Sequence, residues 1–179
     1  MVKRGIRAFL VFCFMLCAVG GAVAAVLPKK GDIAVLVYGP DPQHVAIADA
    51  MIVDELVNHG YHVVDEARIQ KIRAAAARAK ADQLAMQGNF GAIMKISAGY
   101  KASATLVAKV RADIPRLNRA KLYTGTASVT ITAVTSGGTR LGGKTNNMED
   151  GKKGVGYTQG EAMRKAIAAA VQEAIAQIF

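Results

Sequence analysis

Cysteine, tryptophan and proline are scarce in this chain of 179 residues, which has two cysteines, no tryptophan and four prolines. Both cysteines, Cys13 and Cys17, lie within the first 25 residues. A mature chain that begins after them has no cysteine, which excludes disulfide bonds, thiolate zinc sites and cysteine nucleophiles. It also has no apolar run of about 20 residues, the length that a membrane-spanning helix needs.

The first 25 residues have the three parts of a secretory signal peptide. Three basic residues and no acid come first, an apolar run occupies 8–20, and small residues at 22–25 suit a signal peptidase. We therefore predict a signal peptide over 1–25 and a single exported, periplasmic α/β domain over 26–179. The alternative is an uncleaved leader that anchors the chain, because the apolar stretch 8–27 is about as long as a membrane span.

The pattern after residue 26 predicts an α/β (α+β) fold with the element order β-α-β-α-β-β-β-α. An apolar run at 33–39, bounded by Gly-Asp and Gly-Pro, is typical of a strand buried on both faces. Alternation of apolar residues with serine and threonine over 121–134 indicates a strand with one buried face. We expect a mixed sheet of about four to five strands with helices packed on it. The other predicted elements are helices at 43–58, 66–87 and 159–178, with a short helical stretch at 90–97, and strands at 61–65, 103–112 and 140–148.

Two local motifs mark helix ends. Gly60 is placed to end the first helix in the left-handed conformation. Thr158-Gln-Gly-Glu161 has the spacing of a capping box, in which the threonine hydroxyl accepts from the Glu161 amide and the carboxylate reaches back. The segment 151–156, between the predicted hairpin and this capping box, is rich in glycine and lysine, and we interpret it as a flexible connection.

The loop after the first strand is the candidate ligand site, with Tyr38, Gly39 and Asp41. Open α/β sheets tend to bind ligands at the carboxyl ends of their strands. The competing interpretation is a turn fixed by Pro40 and Pro42, in which Asp41 caps the following helix.

No residue pattern indicates catalysis, a metal or a cofactor. His59 and His62 are three residues apart, but one ends a helix and the other lies in the next strand, so they do not converge as metal ligands. The glycines at 151–156 follow a polar hairpin, whereas phosphate-binding loops follow a buried strand. No serine stands in a G-x-S-x-G elbow. We predict no catalytic residues, no metal and no cofactor.

The formal charge is +10, of which the leader supplies three units. The basic residues do not gather on one helix face, and the tyrosines are scattered, unlike the stacking platform of a single-strand nucleic-acid binder. We therefore expect no nucleic acid as a partner. An acidic protein surface, an envelope polymer or phospholipid headgroups suit an exported chain better, with membrane contact that is peripheral at most or made through an uncleaved leader.

Two segments carry a resemblance to a known family. These are DELVNHGYHVVDEARI (54–69) and GVGYTQGEAMRKAIAAAVQEA (154–174). The order of elements and these segments resemble the periplasmic α/β domain of CsgG-type curli-secretion proteins, the TolB amino-terminal domain, LpoB-type activators and FlgT. The resemblance implies a three-layer-like domain that recruits or assembles envelope proteins, and it supplies no catalytic residues. The matching structural positions are Gly60, Asp65, Gly154, Gly156, Thr158 and Glu161.

The function that these features favour is a non-enzymatic exported interaction module, an accessory or assembly factor for an envelope, secretion or flagellar complex with envelope protein partners. One alternative is a periplasmic protein that binds a small ligand or nucleotide through the 38–42 loop. Another is a homo-oligomer, a ring or filament that forms through the strand edge at 140–148 or the helix at 66–87.

Overall fold

The computed structural model describes residues 27–144 and 151–179. The predicted leader lies outside these residues, as does the part of the predicted hairpin strand after residue 144. Within the described residues, no helix combines the length and the apolar character needed to cross a bilayer.

Strands and helices follow one another in a mixed α/β arrangement, which confirms the predicted fold class. The strands are β1 (Asp32–Tyr38), β2 (His62–Val63), β3 (Ala102–Ala112), β4 (Arg116–Leu117), β5 (Tyr123–Thr135), β6 (Arg140–Lys144) and β7 (Lys152–Gly156). The helices are α1 (Pro42–Asn58), α2 (Glu66–Arg78), α3 (Ala81–Met86), α4 (Gly91–Gly99) and α5 (Gln159–Ile175).

The seven strands form one mixed sheet that is five strands wide, because two of the positions are each shared by two strands. β1 pairs in parallel with β2 on one side and with β3 on the other. β5 is antiparallel to β3 and, beyond a short irregular connection, to β4 on the same side. Its other side pairs with β6 and β7, which together form the edge position of the sheet. The long β5 therefore joins the parallel and antiparallel halves of the sheet.

Helices cover the two faces of the sheet unequally, so that the domain has three layers. On the first face, α1 and α5 pack against alternate residues of β1, β3 and β5, which form the larger core. On the second face, α2, α3 and α4 enclose a smaller core over β1 and β3. Strand residues in the first core include Ile33, Val35, Val37, Leu106, Val110, Val129 and Ile131, and those in the second include Ala34, Leu36 and Val107.

Three expectations about boundaries need correction. The single helix predicted at 66–87 is two helices, because Lys80 adopts a left-handed conformation with φ 54° and the turn directs Ala81 and Ala85 into the second core. The predicted β-α-β-α-β-β-β-α order therefore gains helices between β2 and β3, as well as the short strand β4.

The third correction concerns 151–156, where the strand β7 replaces the predicted flexible connection. Its glycines are there because α5 crosses the strand at close range. A Cβ at Gly156 would lie 2.8 Å from the Ala162 backbone nitrogen, and one at Gly154 would overlap the backbone of Ala162 and Ala166. Sequence alone does not distinguish glycine that loosens a loop from glycine that admits a helix.

The predicted end of the first helix at Gly60 is confirmed. Gly60 follows α1 with φ 79°. Asp65 caps α2 by accepting a hydrogen bond from the Arg68 amide at 2.9 Å. Arg68 also donates to the Asp32 carboxylate at 2.6 Å and so ties α2 to the start of β1.

Candidate functional site

A cleft of about 740 Å³ lies at one end of the sheet. The carboxyl ends of the parallel strands β1 and β3 lie at this end, and β7 also ends there because it runs antiparallel to β5. The helices α1 and α5 both begin here. The lining residues combine helix-start polar groups with apolar side chains from α1, α5 and the β3–β4 connection.

Asp41 lies on the α1 side of the cleft. Its Oδ1 accepts hydrogen bonds from the amides of Gln43 at 2.8 Å and His44 at 3.3 Å. Pro42 occupies the first helical turn, where a missing amide proton costs nothing. The interpretation of Asp41 as a helix cap is therefore confirmed, and Asp41 also faces the cleft.

The predicted capping box lies on the α5 side. The Thr158 hydroxyl accepts from the Glu161 amide at 3.1 Å, and the Glu161 carboxylate accepts from the Tyr157 amide at 2.9 Å. The other oxygen of Glu161 accepts from the Lys165 ammonium at 2.7 Å. These hydrogen bonds, with Lys165 first and the Tyr157 amide second, lower the pKa of Glu161 from its ordinary value.

Two carboxylates thus occupy the starts of the two helices. Free helix amino termini attract anions, but here Asp41 and Glu161 already accept from the exposed amides. A phosphate would have to displace a carboxylate that is fixed in place. The side chains that line the cleft include no serine, cysteine or lysine, and its titratable side chains are Asp41, His44, Glu161 and Arg164.

Exposed apolar side chains surround the start of α5. Ile114 is 79% exposed, Leu117 59% and Tyr157 81%. Ile114 lines the cleft beside Gln159 and Gly160, while Leu117 and Gly156 pair with Tyr123 from opposite sides. We call Ile114, Leu117 and Tyr157 the apolar rim. Contiguous exposed apolar patches mark interaction sites on protein surfaces.

The loop residues Tyr38 and Asp41 line different depressions. Tyr38 lies on the second face of the sheet, where its hydroxyl is 3.4 Å from the Asp82 carboxylate. Burial, and next the nearby Asp82, raise the pKa of Tyr38. Gly39 packs below the cleft, since a Cβ there would lie 2.8 Å from Val110. A ligand in either depression would contact only one of the two polar side chains.

His44 lines the cleft with its Nδ1 3.8 Å from the Asp41 carboxylate, whereas His59 takes a structural position. His59 stacks on Phe179 with ring centroids 4.3 Å apart, and its Nδ1 is 2.9 Å from the Glu55 carbonyl oxygen. Tyr61 stacks on the same Phe179 ring at 5.3 Å. Within 27–144 and 151–179, no three histidine, cysteine or acidic side chains are grouped so that they could hold a metal ion.

Sequence reasoning placed Asp41, Thr158 and Glu161 correctly as helix caps but did not bring them to one site. It missed the apolar rim, because Ile114 and Leu117 stand in a polar stretch between strands, and single apolar residues in such stretches carry no periodic signal. Pro115 lies between them and lines the cleft together with Ile114.

No protein-family model matches this chain, and no curated protein matches it in sequence. Solved structures do match its fold. PelC from Paraburkholderia phytofirmans, a dodecamer, is 11% identical with a TM-score of 0.51, over 87% of this chain and 91% of that one. A variant PelC dodecamer is 10% identical over 87% and 93%, with a TM-score of 0.49. The lipoprotein GNA1162 from Neisseria meningitidis is 17% identical over 81% and 97%, with a TM-score of 0.47.

Proposed function

We propose that this protein is an exported, non-enzymatic assembly module of the cell envelope that acts as a homo-oligomer. The observation that carries the proposal is the apolar rim beside the cleft. Three large side chains are at least 59% exposed there, and their burial against another molecule would be favourable. The fold is shared with PelC, a protein that forms a dodecamer, and this likeness supports a closed ring as the form of association.

The position of the rim suits a heterologous contact. The rim surrounds the start of α5, while the exposed Val57 lies near the end of α1 and therefore at the other end of the sheet. A ring requires two different surfaces on each subunit, one that presents the apolar side chains and one that receives them. The proposal assigns the presenting surface to the rim.

Light scattering after size-exclusion chromatography tests the association. The full chain, expressed with its own leader, should elute with a mass that is a multiple of a monomer of at most 18.8 kDa. The double variant Ile114→Asp/Leu117→Asp should elute as a monomer, because charged side chains would have to be buried in the contact. The matched control is Val57→Asp, which changes a side chain of 56% exposure far from the rim.

A wild-type monomer at about 10 mg/ml, a concentration at which weak symmetric contacts associate, would contradict the proposal. Equal loss of association in the control would contradict the assignment to the rim. Export is tested separately by the mass of the protein from a periplasmic fraction, which should begin at Ala25 or Val26.

A further inference from the structure

The second face of the sheet is only half covered by helices. The helices α2 and α4 contact β1 and β3, and they leave the β5 side of the face open. Alternate residues of β5 point to this side, since the residues between them form the first core. They are small and hydroxylated: Thr124, Thr126 and Thr130 are half-buried, and Ser128 and Thr132 between them are buried.

Basic side chains flank this row on both sides. On β3, Lys109 pairs with Thr130 and Arg111 with Ser128. On the opposite side of β5, Lys153 of β7 pairs with Thr126. Paired residues share a face of the sheet, so all of these cations lie on the open side. We call this surface the basic trough; it consists of the hydroxylated row with Lys109, Arg111, Arg116, Arg140 and Lys153.

The cations of the trough have no ion pair within the described residues. The neighbouring Lys152 shows the contrast, because it faces the first core side and contacts the Glu173 carboxylate at 2.9 Å. Alternation along β7 thus gives one lysine an acidic partner and leaves Lys153 on the open face. Two acids of the described residues lie on elements beside the trough: Asp82, which contacts the Tyr38 hydroxyl, and Asp113 in the β3–β4 connection.

The trough has a concave end. Where α3 and α4 stand above the sheet, a recess of about 280 Å³ is lined by Lys109, Thr130, Thr132 and Arg140. The Arg140 guanidinium lies 5.3 Å from the centre of the Phe90 ring, which holds it at the wall of the recess. A chain that lies along β5 would therefore meet cations along its length and at its end.

We propose that the basic trough binds an extended acidic segment of a partner polypeptide, which lies along β5. Alternate side chains of an extended peptide are about 6.6–6.8 Å apart, the same spacing as Lys109 and Arg111 on their strand. Clusters of basic side chains recognise acidic segments in this manner, through charge-assisted hydrogen bonds.

Other partners fit the trough less well. A folded protein surface would need apolar anchors that lie together, whereas the exposed Val155 and Met86 lie at opposite ends of the trough, beside Thr124 and at the recess. Single-stranded nucleic acid would need stacking aromatics along the row, whereas Tyr123 belongs to the other face of β5, and Tyr38 and Phe90 lie at the recess with Arg140 over the Phe90 ring. A planar lipid surface would rest on the helix layer and miss the recessed strands.

Fluorescence anisotropy tests the inference with a labelled peptide of eight Glu-Ser repeats and the full chain. We expect binding at about 50 mM salt that weakens at least about tenfold at about 500 mM, since salt screens exposed charges. Lys109→Glu/Lys153→Glu should weaken it at least about tenfold, because both carboxylate contacts become repulsive. The control Lys71→Glu/Arg78→Glu makes the same charge change on exposed positions of α2 and should stay within about twofold of wild type.

Absence of peptide binding at low salt would overturn the inference, and so would an equal loss in the α2 control. Tighter binding of polygalacturonate, of single-stranded DNA or of phosphatidylglycerol vesicles would overturn the peptide as the occupant. Thermal melting of each variant confirms that loss of binding is not loss of folding. The trough and the apolar rim are separate surfaces, so Ile114→Asp/Leu117→Asp should still bind the peptide.

Discussion

Helices cover the two faces of the sheet to different extents. On the first face, two helices of 17 residues each cover the strands from β1 to β7. On the second, helices of 13, 6 and 9 residues cover β1 and β3 and stop there. The strand sequences follow this coverage: β1 is apolar on both sides, whereas β5 alternates apolar with hydroxylated residues.

This comparison separates the scaffold from the surface that is available for binding. On the first face, α5 lies directly on glycine and alanine residues of the sheet, and the side chains there are buried in the first core. The second face keeps polar side chains at the surface next to a short helical layer. We therefore expect the first face to determine stability and the open half of the second to tolerate substitution.

The largest expected effect tests how closely α5 packs against the first face. Gly154→Val should lower the free energy of unfolding by at least about 3 kcal/mol, because the new side chain overlaps the backbone of Ala162 and Ala166. Gly160→Ala is the control: a Cβ there meets nothing within 4 Å, so stability should stay equal or rise by up to about 1 kcal/mol. Urea unfolding measures the free energy of unfolding of both variants. A small loss in Gly154→Val would mean that α5 does not pack closely against β7.

Cavities should cost more in the first core than in the second. Ile167 and Ile72 are both fully buried, one in each core. Ile167→Ala should lower the free energy of unfolding by about 4 kcal/mol and Ile72→Ala by about 2.5 kcal/mol, because the short helices can collapse onto a cavity more readily. Equal or reversed losses in chemical denaturation would show that the two layers are equally rigid.

The cap of α5 makes a smaller contribution to the first face. Thr158→Ala removes the hydroxyl that accepts from the Glu161 amide, and we expect a loss of about 1 kcal/mol. Thr158→Ser keeps the acceptor and should lose less than half as much. If both variants lose the same, the methyl group and not the cap stabilises this helix end.

The smallest effects should differ in pH range between the faces. The pKa of Glu161 is lowered in the folded chain, so its contribution is present above the ordinary value of 4.5 and is lost as the pH falls through the folded value. The pKa of Tyr38 is raised, so its contribution is present below about 10 and declines as the pH rises from there.

Melting temperatures against pH distinguish the two groups. Glu161→Gln should flatten the acid limb of the curve, and Tyr38→Phe should flatten the alkaline limb. If the alkaline limb is unchanged in Tyr38→Phe, the ionisation of Tyr38 does not cause it. If the acid limb is unchanged in Glu161→Gln, the protonation of Glu161 does not cause that limb.

Much of the fold could be predicted because burial leaves a periodic signal. The run at 33–39 predicted β1, the alternation at 121–134 predicted β5, and the Thr158 motif located the start of α5 to the residue. The break at Lys80 and the strand β7 could not be predicted in this way. Alanine favours a helix regardless of where its face is buried, and the use of Gly154 depends on a helix that follows it in sequence.

The candidate surfaces were less accessible to prediction. Asp41 and Glu161 could be recognised as caps, but the cleft between them exists only because β1 and β7 end at the same edge of the sheet. The basic trough shows the same limit, since Lys109 and Lys153 are far apart in sequence and meet across β5 through pairing.

The sequence by itself determined the main strands β1, β3 and β5, the first and last helices, their caps and the unequal polarity of β1 and β5, because these depend on neighbours within a few residues. The tertiary structure decided which glycines lie under α5, which lysine of the Lys152–Lys153 pair finds an acid, and which apolar side chains form a rim. Those outcomes depend on pairing and packing between distant segments, where a one-residue change in register moves a side chain to the opposite face.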